Sequence, residues 1–286
     1  LATTQNRIRE KAFLSGHGFP VTRHVAVAGP DGLDGALAEV GGPAILKTAA
    51  WGYDGRGQLS IDGRDGSRAG ARELLEAGPG MLEARVDFEL ECSVVVARGL
   101  DGDVRTFGPI RNLHRDHILD VSSAPADLPL EVEREARAIA EGVAEQLELV
   151  GVLCVELFVL PDGGLVVNEL APRPHNSGHL TIEGCTVSQF EQQVRAVCGL
   201  PLGSVERAAP AAMVNLLGDR HGRPQVDYTV NPALGIPDIT GPEGDERLGS
   251  LAAYVRDRRI CLELCPTSNV NTGVCGSIAE HPIGML

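Results

Sequence analysis

The stretch VGVLCVELFVL-PDGG-LVVNEL, residues 150–170, constrains this chain more than any other. Two apolar runs flank the turn signal PDGG, so the segment reads as a β-hairpin. Glu156 and Glu169 sit inside those runs, where an unpaired carboxylate is costly. With the turn centred near residues 162 and 163, the two glutamates occupy almost mirror positions, and mirror positions across a hairpin face each other. Asn168 adjoins the second. Two carboxylates and an amide converging in this way are hard oxygen ligands suited to Mg²⁺ that also grips phosphates. The plainer reading is a pair of edge glutamates pointing into solvent, and the residues alone leave both open.

A second feature lies upstream. KTAAWGYDGRGQ, residues 47–58, places a lysine at the end of the apolar run PAILKTA and follows it with three glycines. Glycine lets backbone N–H groups approach a polyphosphate, and an ammonium neutralises it. The chain has 23 arginines and only two lysines, Lys11 and Lys47. A chain that otherwise uses arginine keeps a compact point charge here, as suits a phosphate oxygen. The loop matches neither GxxxxGK[ST] nor GxGxxG, so a plain glycine-rich hairpin turn is the alternative. Third, NELAPRPHNSGH, residues 168–179, crowds Arg173, His175, Asn176, Ser177 and His179 onto a loop stiffened by two prolines. Such a density of donors next to a rigid hairpin is typical of a binding loop. His114 and Arg115 in NLHRDH form a weaker cluster.

Composition removes several classes. The formal charge of −14 argues against nucleic acid as a partner. The longest apolar run is too short to span a bilayer and carries Glu156, so no membrane partner is expected and the protein reads as cytoplasmic. Seven cysteines, 92, 154, 185, 198, 261, 265 and 275, are scattered without a CxxC pair. They read as reduced thiols rather than a disulfide framework or a zinc site. Neither GxSxG nor HExxH occurs, which disfavours a serine hydrolase or a zincin.

Along the chain, a helix already under way at the first residue runs to about residue 15. Strands follow around 21–28, 43–49 and 57–62, the last two enclosing a hairpin loop over 52–57. A short helix lies near 31–42, a longer one near 67–78, and a strand over 80–86. From 90 to about 122 the pattern is mainly strand. The clearest helix covers 130–149, with apolar positions 132, 136, 139, 143 and 147 spaced near 3.6. After the 150–170 hairpin comes an amphipathic helix in VSQFEQQVRAVCG with a glycine stop. Texture changes after AAMVNLLG, and a boundary falls near residue 218.

Together these motifs resemble the ATP-grasp superfamily over about residues 1–218, and within it the 5-(carboxyamino)imidazole ribonucleotide synthases of purine biosynthesis. GYDGRGQ resembles the glycine-rich loop over the ATP phosphates, and NELAPRPHNSGH with SQFEQQVRAVCGLPL is the most specific stretch. The resemblance implies an α+β ATP-grasp core. Residues 1–90 would form a small glycine-loop subdomain with a flanking helix, 91–218 a larger antiparallel-sheet subdomain, and 219–286 a linker and tail. It implies that Lys47 contacts the ATP phosphates and that Gly52, Tyr53, Asp54, Gly55, Arg56, Gly57 and Gln58 close over them. Glu83, Ala84, Arg85 and Val86 would be the hinge that hydrogen-bonds adenine, although EARV departs from the usual EQ opening. Glu91 would hold the ribose, with His114 near the nucleotide. Glu156 and Glu169 would bridge Mg²⁺ to the phosphates with Asn168 alongside, and Arg173, His175 and Asn176 would face aminoimidazole ribonucleotide and carboxyphosphate. The implied activity is ATP-dependent carboxylation of 5-aminoimidazole ribonucleotide with bicarbonate, by a cytoplasmic ligase of a family that is often a homodimer.

The chain also departs from that family. Its N-terminal nucleotide-fold domain and the small basic C-terminal domain have no counterpart, and Ala49, Ala50 and Trp51 stand where Arg and Gly are frequent. Residues from about 235 to 286 instead resemble an interior piece of adenosine deaminase, without the HxH ligands or the catalytic segment that zinc chemistry needs. A chimera or gene fragment is the expectation, and the alternative function is a nucleotide-binding remnant without turnover.

Overall fold

The computed structural model describes residues 2–50, 57–62, 65–115 and 117–215. The chain divides into two units, residues 1–214 and 215–286; the described elements belong to the first. The glycine-loop positions Gly52, Tyr53, Asp54, Gly55 and Arg56 lie outside the described residues, as does everything expected of the tail.

The first helix is α1 (Arg7–Gly16). A helix already under way at the start of the chain is expected from the sequence, but residues 2–6 form turns and the helix begins only at Arg7. Asn6 starts it: the Asn6 Oδ1 accepts the N–H groups of Ile8 and Arg9 at 3.0 and 3.2 Å, satisfying donors that a helix start leaves orphaned. Next comes a four-stranded antiparallel sheet of β1 (His24–Val27), β2 (Ala44–Thr48), β3 (Gln58–Ile61) and β4 (Gly80–Ala84), in the order β1-β4-β2-β3. The helices α2 (Leu33–Val40) and α3 (Asp65–Glu76) cover one face of it, burying Leu33, Val40 and Leu75 against Leu46 and Leu82. Residues of opposite parity on β2 and β4, Lys47 and Glu83, therefore point away from that core.

Six antiparallel strands form the second sheet: β5 (Leu90–Arg98), β6 (Val104–Arg115), β7 (Ile118–Ala124), β8 (Gly151–Val159), β9 (Leu165–Ala171) and β10 (Ala211–Val214), ordered β10-β7-β6-β5-β8-β9. Both faces of its centre are covered, which is why β5 and β8 read as unbroken apolar runs. Val94, Val96, Leu153, Val155 and Leu157 pack with α4 (Leu130–Gln146) and with Leu14 of α1. Val95, Ala97, Val152 and Cys154 meet the opposite core, which includes Leu180 and Ala196. That side carries a 3-10 turn (Asn176–Leu180), the short α5 (Thr181–Gly184) and α6 (Gln189–Val197). The helix expected over 130–149 is α4, and its buried residues include Val132, Ala136, Ile139 and Val143.

The 150–170 hairpin forms as expected, but with an irregularity that its sequence does not announce. Glu156 pairs with Glu169, whereas the adjoining Leu157 pairs with Val167, so Asn168 is an extra residue in β9. This β-bulge changes which face the strand presents. Before it, Leu165 and Val167 enter the core under α4; after it, Ala171 enters the opposite core. Without the bulge, Glu169 would share the face of Val167 and be driven into that apolar core. With it, Glu169 lies on the same face as Glu156.

Among the described residues no helix is long and apolar enough to cross a membrane, and the four described cysteines are free thiols. Burial, with Cys154 nearby, pushes the Cys92 thiol up to about 12, so it stays protonated as a core residue.

Leu14 is fully buried beneath the second sheet although α1 precedes the first in sequence. Leu14→Ala is therefore expected to lower the unfolding free energy by about 2–5 kcal/mol, read from urea denaturation. A loss under about 0.5 kcal/mol, the range of surface changes, would contradict this anchoring.

Candidate active site

The site is built on the bulged face of the large sheet, where Glu91, Asn112, His114, Glu156, Phe158 and Asn168 gather into a tight group. Strand register explains the gathering. Ser93 stands opposite Glu156, Glu91 opposite Asn112, and Glu156 opposite Glu169. Phe88 and Phe158 stack at its edge with ring centroids 4.5 Å apart.

Each carboxylate has a cationic or imidazole neighbour. His175 Nε2 lies 3.0 Å from Glu156 Oε1, and Arg7 Nη1 donates to Glu169 Oε2 at 2.9 Å. Glu91 Oε2 abuts His114 Nδ1. Burial works against a charged His175, but Cys154 and Glu156 outweigh it and hold its pKa well above the ordinary histidine value. His114 is likewise raised, burial being overcome by its contact with Glu91 and by the charge of Glu156. Against the burial that would raise it, Arg7 and Lys47 hold the Glu169 carboxyl below its usual range.

Lys47 reaches across from the small sheet. Its Nζ donates to Glu83 Oε2 at 3.0 Å and to Asn168 Oδ1 at 3.2 Å. The bulge thus presents the Asn168 amide to the lysine that the sequence singled out. At the mouth of the glycine loop, Gly57 has φ +71° and a Cβ there would lie 2.5 Å from Thr48 Oγ1, so only glycine fits. Gln58 pairs with Lys47 in register.

The hinge segment is narrower than its four residues suggest. Glu83 is buried with its Oε2 taken by lysine and its Oε1 without a hydrogen-bond partner among the described residues, and the Ala84 and Arg85 N–H groups donate to the carbonyls of Arg23 and Pro43. Val86, half-buried just beyond, contributes the backbone N–H of this segment that has no partner among the described residues. Arg173 is exposed and folds back to donate to the Pro174 carbonyl at 2.9 Å, so it is not drawn into the carboxylate group. Asn176 begins the 3-10 turn, half-buried beside His175.

Several residues of the site escaped the sequence reading. A buried hydrogen-bonded chain runs beneath His175: Ser122 Oγ donates to Asn112 Oδ1 at 2.8 Å, Asn112 Nδ2 to Ser93 Oγ at 3.0 Å, Ser93 Oγ meets Ser177 Oγ at 2.7 Å, and Ser177 Oγ meets His175 Nδ1 at 2.9 Å. Gln189 brackets the same loop, accepting from the His175 N–H at 2.9 Å and donating to the His175 carbonyl at 2.7 Å. The close approach requires Gly178, where a Cβ would stand 2.4 Å from Gln189 Oε1. From α1 come Arg7, Glu10 and Lys11. Their signal was faint: Lys11 is one of only two lysines in the chain.

No three or more of His, Cys, Asp and Glu cluster as a self-sufficient metal cage among the described residues. Two opposed carboxylates fit a different ion, Mg²⁺, which takes one or two protein carboxylates and fills its remaining positions with phosphate oxygens and water.

Residues 12–190 match the model of the ATP-grasp domain. The chain belongs to the ATP-grasp family. Residues 238–286 match the adenosine deaminase model, within the stretch that the sequence set apart. This ATP-grasp chain is 46% identical over 219 residues to the N5-carboxyaminoimidazole ribonucleotide synthase of Bacillus subtilis, covering 77% of the chain and 57% of that protein. It therefore spans little more than half of that relative's length. A crystal structure of the ADP complex of an N5-carboxyaminoimidazole ribonucleotide synthetase superimposes with a TM-score of 0.75 at 39% identity, over 87% of this chain and 65% of that one. The Aspergillus clavatus N5-carboxyaminoimidazole synthase, in complex with ADP and 5-aminoimidazole ribonucleotide, gives 0.71 at 30% identity over 77% and 58%. The two-sheet α+β core expected from the sequence is thus the ATP-grasp fold.

Glu10 is 3% exposed and its Oε1 has no hydrogen-bond partner among the described residues. Burial and then Glu169 raise its pKa from 4.5 to about 8 despite Lys11 and Arg7. The folded chain thus holds a proton that the unfolded chain releases near pH 4.5, so this group favours folding at low pH. Its contribution falls as the pH rises through about 8 and then levels off. Glu10→Gln is expected to flatten that slope, its melting temperature gaining on the parent between about pH 5 and 8 without nucleotide or divalent metal. Parallel melting profiles would contradict the assignment.

Proposed function

We propose that this chain binds Mg-ATP between its two sheets and uses it to carboxylate 5-aminoimidazole ribonucleotide with bicarbonate, through carboxyphosphate. The observation that carries the reading is the meeting of Lys47, from the small sheet, with Asn168 beside the opposed pair Glu156 and Glu169 on the large one. The names of the similar proteins supply the substrate class. Because the chain spans only 57% of the Bacillus relative, the complete activity is a proposal for this chain.

In this reading Lys47 exchanges its carboxylate partner for the nucleotide's phosphates, and Gly57 and Gln58 anchor the glycine loop that covers them. The Val86 N–H offers a donor to the adenine edge, and Glu91, held against His114, accepts from the ribose hydroxyls. Glu156 and Glu169 would hold Mg²⁺, which when bound neutralises the phosphate charge that builds during transfer. Arg7 and His175, which neutralise these carboxylates here, would then be free to face anionic groups. A bicarbonate oxygen attacks the γ-phosphorus, ADP leaves, and carboxyphosphate results. The amine of the ribonucleotide attacks its carbonyl carbon, phosphate departs and takes up the proton the amine loses, and the N–C bond is formed. His175, Asn176 and Arg173 lie on the loop placed to orient these anions, and the buried chain through Ser177, Ser93 and Asn112 fixes the imidazole. Excluding water protects the acyl phosphate from hydrolysis.

The alternative reading is nucleotide binding without turnover. One assay separates the two: phosphate release from Mg-ATP with and without aminoimidazole ribonucleotide and bicarbonate, beside Glu169→Ala. The proposal expects release that needs the ribonucleotide, is abolished by chelating Mg²⁺, and falls about a hundredfold or more in Glu169→Ala. No release above that variant would remove the ligase reading and leave a binding module.

A further inference from the structure

The two lysines of the chain meet on a single oxygen. Lys47 Nζ lies 3.0 Å and Lys11 Nζ 3.6 Å from Glu83 Oε2, and the three residues are 7%, 1% and 4% exposed. Their other contacts differ. Lys47 holds Asn168 by its side-chain oxygen, whereas Lys11 donates to the main-chain carbonyls of Asn168 at 2.8 Å and Val167 at 3.2 Å. Lys11 thus donates two of its N–H bonds to carbonyls and keeps the carboxylate within ion-pair distance. Burial lowers the Lys11 pKa, and the charge of Glu83 works against that. Two carbonyls and a carboxylate in so closed a space suit a compact ammonium, in a chain that otherwise carries 23 arginines.

The arrangement has one carboxylate and two ammoniums where one pair would suffice. Burial of Glu83 raises its pKa, but Lys47 and Lys11 together bring it below the ordinary carboxyl value. If Lys47 turns to a nucleotide's phosphates, Glu83 loses its nearer cation while still buried, and an unpaired buried carboxylate is strongly unfavourable. Lys11 is already within ion-pair reach and is moored by two carbonyls to the bulge. We propose that Lys11 is a positioning residue of the nucleotide site: it takes over the charge of Glu83 when Lys47 moves to phosphate, so that Lys47 is free to bind ligand. The role rests on the reading of this cleft as a Mg-ATP site. It also makes α1 part of the binding machinery, because this helix brings Lys11 between the sheets.

The test is a double-mutant cycle on the full chain, with Mg-ATP affinity measured by calorimetry. Lys11→Met is expected to weaken binding about tenfold or more with Glu83 present, and no more than about twofold in the Glu83→Gln background, where the neutral amide needs no counter-ion. Lys11→Gln, which keeps an amide donor for the carbonyls but no charge, is expected to lose affinity in the same way and serves if the methionine variant does not fold. A purely structural anchor for α1 would cost the same in both backgrounds. Equal losses, or none, with the parent chain binding normally would overturn the inference alone. A parent chain that binds no Mg-ATP would overturn the nucleotide reading and the inference together.

Discussion

One extra residue in a β-strand determines the chemistry of this face. The hairpin of β8 and β9 is apolar on both sides because both sides are covered, so a carboxylate on the face beneath α4 would be buried among valines and leucines. The bulge at Asn168 moves Glu169 onto the face where Glu156 already points. The same irregularity frees the Asn168 side chain for Lys47 and its carbonyl for Lys11. Bulges turn up next to active sites because they re-aim side chains without breaking a sheet. Here it sets both the opposed carboxylates and the contact between the two sheets.

Around that point the structure concentrates charge that it partly desolvates. Arg7, Lys11 and Lys47 confront Glu83 and Glu169, with Glu10 close enough for its carboxyl to be pushed up. A buried cluster of this kind contributes little net stability, since desolvation offsets most of the attraction. Its value lies in readiness: cations now held by carboxylates stand where phosphate and carbonate oxygens would arrive. The chain of Ser122, Asn112, Ser93 and Ser177 does the same for orientation, holding the His175 ring from below while Gln189 fixes its backbone.

Much of this is legible in the sequence. PDGG marked the hairpin, the two glutamates gave the facing pair, and the scarcity of lysine pointed to Lys47. Periodicity marks α4, and amphipathicity with a glycine stop marks α6. The bulge was not legible, because Val166 and Val167 suit either face and nothing in LVVNEL marks a change of register. Nor was the part played by α1, whose Arg7 meets a carboxylate more than 160 positions away; only tertiary packing makes that pairing. Ser93 and Asn112 look unremarkable within strands, and the self-contained bond of Arg173 to Pro174 cannot be read from a motif. The start of α1 is not legible in the sequence, because helical composition hides a cap. Asn6 ends the extended approach by taking up two N–H groups.

The central claim is that the bulged carboxylate pair and Lys47 form one nucleotide site between the sheets. A crystal structure of this chain with Mg²⁺ and a non-hydrolysable ATP analogue tests it most directly. The account expects the metal on Glu156 and Glu169, Lys47 Nζ on a phosphate oxygen instead of Glu83, and the adenine edge at the Val86 N–H. An analogue bound elsewhere, or a metal that leaves either glutamate uncoordinated while Lys47 keeps its bond to Glu83, would contradict it.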